Sequence, residues 1–188
     1  MNKKRIALDV DDILSDMVPY WLRKFNRHAG TSFTVDDVKD WYFPCIPREG
    51  REYHYGLLKK PSFWRDMQPL PGAAPALQSL SSHYEYMVVT SMPPAMVKYR
   101  VEWLERHYPF LLQENVVFVG SMKAKRFINA DILIDDCPLL DGILPSTIHW
   151  ILRDRPYNKT VKTGPTVHRC RDWAEIEQLL RQMAGEVS

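Results

Sequence analysis

The chain has 188 residues, 45% of them hydrophobic, with 25 Lys and Arg against 23 Asp and Glu; it is long enough for one ordinary core plus an elaboration and too apolar for a disordered chain. The formal net charge is +2 with scattered basic residues, so there is no sign of a nucleic-acid-binding face, although a local basic funnel for a small anion fits. Three widely spaced cysteines, Cys45, Cys137 and Cys170, give neither a zinc spacing nor a disulfide framework, and no apolar run reaches membrane-spanning or signal-peptide length, so a cytoplasmic protein with reduced thiols and no membrane partner is expected.

Residues 6–8 predict a buried strand that ends in three carboxylates, Asp9, Asp11 and Asp12. A strand buried on both faces cannot carry those charges, so they belong just past its carboxyl end, where open α/β sheets place ligands. Carboxylates packed this closely need a cation or shifted pKa values. A solvated acidic turn is the plainer alternative.

Val18, Tyr20, Trp21, Leu22 and Phe25 then follow a helical pattern that ends near Gly30. Thr34-Val35-Asp36-Asp37 predicts a helix start, with Thr34 as N-cap and Asp37 as its acidic partner, running to about Trp41. A turn is expected at residues 47–50, a helix over 53–58, and another short element from Pro61. Residues 16–68 thus predict a small helical subdomain whose aromatics mostly form its own core. Trp41, Tyr42 and Phe43 are adjacent at a helix end and point in different directions, so at least one is a candidate to face a flat base.

After the break at Leu70-Pro71-Gly72, a helix begins around Ala76, Leu77 and Leu80. Residues 86–89 predict a second strand ending in Thr90 and Ser91, and residues 95–107 a helix. Residues 116–119, 131–134 and 148–152 predict three more strands, the second of them ending in Asp135 and Asp136. Residues 173–183 predict a last amphipathic helix. Alternating strands and helices predict a parallel sheet with helices on both faces.

All strand ends then share one edge. That edge gathers Asp9, Asp11, Asp12, Thr90, Ser91, Asp135 and Asp136, with Lys123 and Lys125 on a preceding loop. Carboxylates with backbone oxygens suit a hard cation such as Mg²⁺. A hydroxyl can donate to a phosphate oxygen, a lysine can neutralise charge in transit, and amides after Asp9 make an anion cradle. Each feature alone has an ordinary structural explanation. Their order and spacing point to phosphoryl transfer.

Asp9-Val10-Asp11-Asp12-Ile13-Leu14, Val88-Val89-Thr90-Ser91, Lys125 and Ile134-Asp135-Asp136 resemble the four motifs of haloacid-dehalogenase-type (HAD) phosphatases, in order. The helical insertion after the first motif, the stretch from Phe63 to Ala73, Asp131 to Pro138, Arg155-Pro156-Tyr157-Asn158 and Trp173 make the chain similar to the 5′(3′)-deoxyribonucleotidase family over nearly its whole length. The resemblance implies a Rossmann-like parallel sheet flanked by helices, with residues 1–15 and 69–188 as the core and 16–68 as a small helical cap inserted after the first strand. It implies Mg²⁺-dependent hydrolysis of nucleoside monophosphates through an aspartyl-phosphate. Asp9 would be the nucleophile, and Asp11 the acid and then the base. Thr90, Ser91 and Lys125 would hold the phosphoryl group, with Lys123 as a fallback lysine. The metal would be held by Asp9, the Asp11 backbone carbonyl and Asp136. Asp135 would sit on a metal-bound water or orient Lys125.

Trp41, Tyr42 and Phe43 would stack on the base. The implied partner is a small nucleotide, and homodimerisation is left open. Asp12 stands where glycine is common, so its side chain is expected to point away from the phosphate. Met17 replaces an aromatic, which leaves the base preference open. Arg100 is expected to be a solvated helix charge, with a reach to phosphate as the alternative. A phosphatase of another small phosphomonoester, such as a sugar phosphate, and a non-catalytic nucleotide binder are the competing functions.

Overall fold

β1 (Lys4–Leu8) carries Ile6, Ala7 and Leu8 into the interior, and the other strands are laid out on either side of it. In this computed structural model, which describes residues 3–42, 46–112 and 115–186, five further strands complete the sheet: β2 (Tyr84–Ser91), β3 (Asn115–Val119), β4 (Ile132–Asp135), β5 (His149–Arg153) and β6 (Val167–Cys170). The order is β3-β2-β1-β4-β5-β6, and every neighbouring pair is parallel. Leu8 lies opposite Val88 on one side and Ile134 on the other. The chain fills one side of β1 first and then returns to the other, so the strand order reverses between β1 and β4. That reversal opens a crevice at the carboxyl ends.

The helices are α1 (Met17–Ala29), α2 (Arg48–Leu57), α3 (Pro61–Arg65), α4 (Ala73–Ser79), α5 (Val97–His107) and α6 (Trp173–Ala184). Strand alternation divides the core. Ile6 and Leu8 pack with Trp21, Leu77, Trp103 and Ile176 from α1, α4, α5 and α6. Ala7, Val89, Leu133 and Leu152 face the other way, toward Trp150, Leu140 and Val161. The sheet is flanked on both faces as expected, but the second layer is built from loops and short 3₁₀ turns, at Met122–Phe127 and Pro138–Leu140, rather than from α-helices.

Two expectations are corrected, and one strand was missed. The Thr34 capping box exists, with Asp37 accepting from the Thr34 N–H at 2.7 Å and its hydroxyl at 2.8 Å. It starts only a 3₁₀ turn over Val35–Asp37, because Val38 is drawn into the core and leaves helical geometry. Residues 47–50 are not a turn: Pro47 precedes the first residue of α2, and Gly50 lies inside the helix. A Cβ on Gly50 would meet Ile46 Cγ2 at 2.6 Å and Phe25 Cζ at 2.9 Å, so glycine is there for close packing of α2 on α1. β6 was not expected, since Val-His-Arg-Cys at a half-exposed sheet edge lacks the apolar run of a central strand.

The insertion leaves and rejoins the sheet at adjacent points. The Asp16 N–H donates to the Gln68 carbonyl at 2.9 Å, the Leu70 N–H to the Leu14 carbonyl at 2.8 Å, and the Gln68 N–H to Asp16 Oδ1 at 2.7 Å. No helix among the described residues is long and apolar enough to cross a membrane.

Candidate active site

The first acidic cluster is shaped by the turn that follows β1. The Val10 carbonyl accepts the N–H groups of Leu14 at 2.8 Å and Ser15 at 2.9 Å. Among the described residues Asp12 is the one non-glycine in the left-handed region, with φ 55°. That conformation costs a residue with a Cβ and favours glycine. Asp12 offsets the cost with contacts glycine could not make. Its carboxylate accepts from the Val18 N–H at 3.0 Å, meeting an otherwise open amide of α1, and from Arg155 at 3.0 Å. Arg153 donates to the Asp12 backbone carbonyl, a contact that any residue here would offer. The Asp12 side chain is engaged in these contacts, and the residue also lines the cavity.

Asp9 lies one residue past β1, almost wholly buried. Lys125, 2% exposed on a 3₁₀ turn, reaches it with Nζ at 2.8 Å and reaches Asp135 at 2.6 Å. The second oxygen of Asp135 accepts the Cys137 N–H at 2.8 Å. Tyr157 donates its hydroxyl to Asp136, and Asn158 donates to the Asp136 carbonyl at 2.9 Å. Lys123 is exposed and takes no part. Carboxylate oxygens of Asp9, Asp135 and Asp136 lie within 4.8 Å of one another.

Burial raises the pKa of Asp9, Lys125 opposes the rise, and Asp11 adds to it. Burial lifts Asp135 to about 6 against the pull of Lys125, with Asp9 adding to the rise. Burial, then the charges of Asp12, Asp135 and Asp9, hold Asp136 well above the ordinary carboxylate range. Burial alone would lower Lys125, but Asp135 and Asp9 outweigh it and keep it cationic. Three crowded carboxylates with one buried ammonium between them are under-neutralised, and their donors are all oxygen. This group fits a hard metal ion.

Thr90 is fully buried at the end of β2, and its hydroxyl makes no hydrogen bond. Ser91 lines the cavity that opens above the carboxylates, about 260 Å³ in volume. Asp9, Asp11, Asp136 and Lys125 form part of its lining, and Trp41, Tyr42, Met17, His54, Tyr55, Trp64 and Tyr157 form most of the rest. Trp41 stands edge-on to Tyr157 at 5.5 Å, and Tyr42 is 62% exposed. Phe43 lies outside the described residues. His54, Tyr55, Trp64 and Tyr157 escaped sequence reasoning. Two of them had a signal, Tyr157 in Arg155-Pro156-Tyr157-Asn158 after the fifth strand and Trp64 in the stretch from Phe63 to Ala73, both within segments that carry the resemblance. The expectation for Arg100 is overturned: it is 0% exposed and ion-paired with Asp11.

His54 packs edge-on to Trp21 at 5.0 Å and to Phe63 at 6.2 Å. Burial lowers its pKa from 6.5 to about 4. The folded state therefore resists protonating a group that the unfolded chain protonates near 6.5. Stability from this residue is complete above pH 6.5 and is lost as pH falls toward 4, by at most about 3 kcal/mol. Urea unfolding of the wild type and His54→Phe at pH 7 and pH 4 checks this. The wild type is expected to lose more stability than the variant over that interval, and equal losses would contradict the assignment.

A family model described as "5′ nucleotidase, deoxy (Pyrimidine), cytosolic type C protein" matches residues 3–185. The 5′(3′)-deoxyribonucleotidase of Clostridium acetobutylicum is 28% identical over 186 residues, which cover 97% of this chain and 98% of that protein. Among solved structures, L-2-haloacid dehalogenase from Xanthobacter autotrophicus aligns with a TM-score of 0.62 at 12% identity, covering 97% of this chain and 100% of that one. A HAD hydrolase from Bacillus subtilis bound to magnesium aligns with a TM-score of 0.58 at 14% identity, covering 96% and 99%. At such identities the two structures show the fold alone.

Proposed function

The chain belongs to the family of cytosolic type C, deoxy (pyrimidine) 5′-nucleotidases, and on that premise we propose that it hydrolyses the phosphate ester of 5′(3′)-deoxyribonucleotides, pyrimidine ones foremost, with Mg²⁺. The observation that carries this is Lys125 held between Asp9 and Asp135, with Asp136 beside them, at the floor of an aromatic-walled cavity.

Asp9 attacks phosphorus and forms an aspartyl-phosphate as the bond to the leaving ribose oxygen breaks. Asp11 gives that oxygen a proton and afterwards takes one from the water that cleaves the intermediate. Lys125 offsets the repulsion between an anionic nucleophile and an anionic phosphate. The idle Thr90 hydroxyl is available to a phosphoryl oxygen, as is Ser91. Asp9, Asp136 and the Asp11 carbonyl would hold the ion, which supplies charge neutralisation at the phosphoryl group. Asp135, with both oxygens engaged, keeps Lys125 in place rather than binding metal directly. Trp41 and Tyr42 supply flat faces for a base. Residues 16–68 serve as a cap that excludes water, hinged where residues 14–16 meet 68–70. The thiols of Cys137 and Cys170, buried and unpaired, suit the reducing cytoplasm.

Phosphate release from nucleoside 5′- and 3′-monophosphates and sugar phosphates, with Mg²⁺ or with EDTA, tests this. The expected result is Mg²⁺-dependent turnover fastest on a deoxynucleotide and lost in EDTA. Faster turnover of a sugar phosphate would overturn the substrate assignment. Nucleotide binding without turnover would overturn the enzyme assignment.

A further inference from the structure

Arg100 is the feature that this chemistry does not yet use. It sits on α5 with no exposed surface, a guanidinium locked between two indoles: its centre is 4.9 Å from the Trp64 ring and 5.5 Å from the Trp103 ring. Both indoles are themselves fixed. Trp103 Nε1 donates to the Met67 carbonyl at 2.8 Å and Trp64 Nε1 to the Leu58 carbonyl at 3.0 Å. Arg100 Nη2 donates to Asp11 Oδ1, while Nε and Nη1 are buried without hydrogen-bond partners. A buried cation with unmet donors is costly, and an apolar side chain would fill the same space without that cost. What the arginine provides beyond packing is its one polar contact, on Asp11.

That contact is selective. The Ser15 hydroxyl, whose one proton is shared between the Val10 carbonyl at 3.2 Å and Oδ1 at 3.3 Å, approaches the same oxygen, and Oδ2 receives neither contact. The guanidinium holds Oδ1 on the α5 side, and Oδ2 is the oxygen left without a protein hydrogen bond among the described residues.

We propose that Arg100 is a positioning residue for the leaving-group step, fixing Oδ1 of Asp11 so that Oδ2 is the oxygen that delivers the proton. As the bond from Asp9 to phosphorus forms and the bond to the leaving oxygen breaks, the proton passes from Asp11 Oδ2 to that oxygen, and Asp11 is left as a carboxylate held by Arg100. Trp64, which lines the cavity and touches Arg100, ties this orientation to the insertion. The inference rests on the roles proposed above for Asp9 and Asp11.

A comparison of leaving groups tests it. An alkoxide leaving from a nucleotide needs a proton, whereas p-nitrophenolate departs without one. For either substrate kcat/KM reports only steps up to the first irreversible one, the loss of the leaving group, and is independent of the later hydrolysis. Arg100→Met is expected to lower kcat/KM about 10²-fold on a deoxynucleoside monophosphate but less than about fivefold on p-nitrophenyl phosphate. Inhibition by inorganic phosphate should be unchanged. Arg100→Lys, which keeps the buried charge, should recover part of the loss. It also carries the comparison if the methionine variant does not fold.

Equal losses on both substrates would overturn the proposal. A matching loss of inorganic-phosphate inhibition would also overturn it, by making Arg100 a phosphate ligand. A wild-type protein that turns over neither substrate would remove the function proposed above and this inference with it. An active wild type with equal losses in the variants would remove this inference alone.

Discussion

Asp9→Asn is expected to lower turnover by about 10⁴-fold or more, the largest single effect in the molecule. An amide has almost the same shape as the carboxylate but is a very poor nucleophile toward phosphorus. The fold should tolerate the change. Burial and Asp11 both oppose a charge on Asp9, so replacing it relieves repulsion. Lys125 keeps Asp135 at 2.6 Å and is not left alone in the interior. In EDTA the variant should melt within a few degrees of the wild type, by calorimetry or circular dichroism. A variant that retains a tenth of wild-type turnover would remove Asp9 from the role of nucleophile.

Lys125→Met is expected to be damaging in two ways. It removes the cation beside the phosphoryl site, which should cost about 10²- to 10³-fold in turnover. It also leaves Asp9 and Asp135 facing each other in the interior without their shared partner. Breaking a buried pair by deleting one member costs about 3–5 kcal/mol. Here the cost depends on pH, and its sign follows from the native pKa values.

Burial already lifts Asp135 to about 6 with Lys125 in place, and Lys125 is what pulls that value down. Without the lysine it rises further. A carboxyl whose native pKa lies above its unfolded value binds protons more tightly when folded, so its contribution to stability falls as pH rises through that interval. Urea unfolding in EDTA should therefore show a large deficit against the wild type at pH 7.5 and a smaller one at pH 5, where Asp135 is protonated. A deficit that does not vary with pH would mean that Lys125 acts through packing alone.

The candidate site was legible in the sequence to the degree that it is local. Asp9, Asp11, Asp135 and Asp136 are read from strands that end abruptly in charge, because an apolar run cannot continue through carboxylates. Lys125 was harder, since a lysine on a loop is ordinarily solvated. Only its place ahead of the fourth strand separated it from Lys123, and the fold buries one and exposes the other. Arg100 was misjudged for the same reason. Its burial depends on Trp64, 36 residues earlier, and on Trp103, and no window of local sequence holds all three.

The insertion was legible as helical but not in its detail. Gly50 read as a turn because a helix-interior glycine is usually unfavourable, and the Phe25 and Ile46 contacts that require it are tertiary. Much of the cavity wall was invisible for a related reason. His54, Tyr55 and Trp64 sit on short helices whose orientation is decided by packing on α1 and α5, not by their own pattern.

The most direct test of the central claim is to quench the protein in acid during turnover of a deoxynucleoside monophosphate with Mg²⁺, and to map its peptides by mass spectrometry. The account predicts one phosphoryl group on the peptide containing Asp9, present only while substrate is being consumed and absent in Asp9→Asn. Full turnover with an acyl-phosphate mapped to another residue, or undiminished turnover by Asp9→Asn, would contradict it.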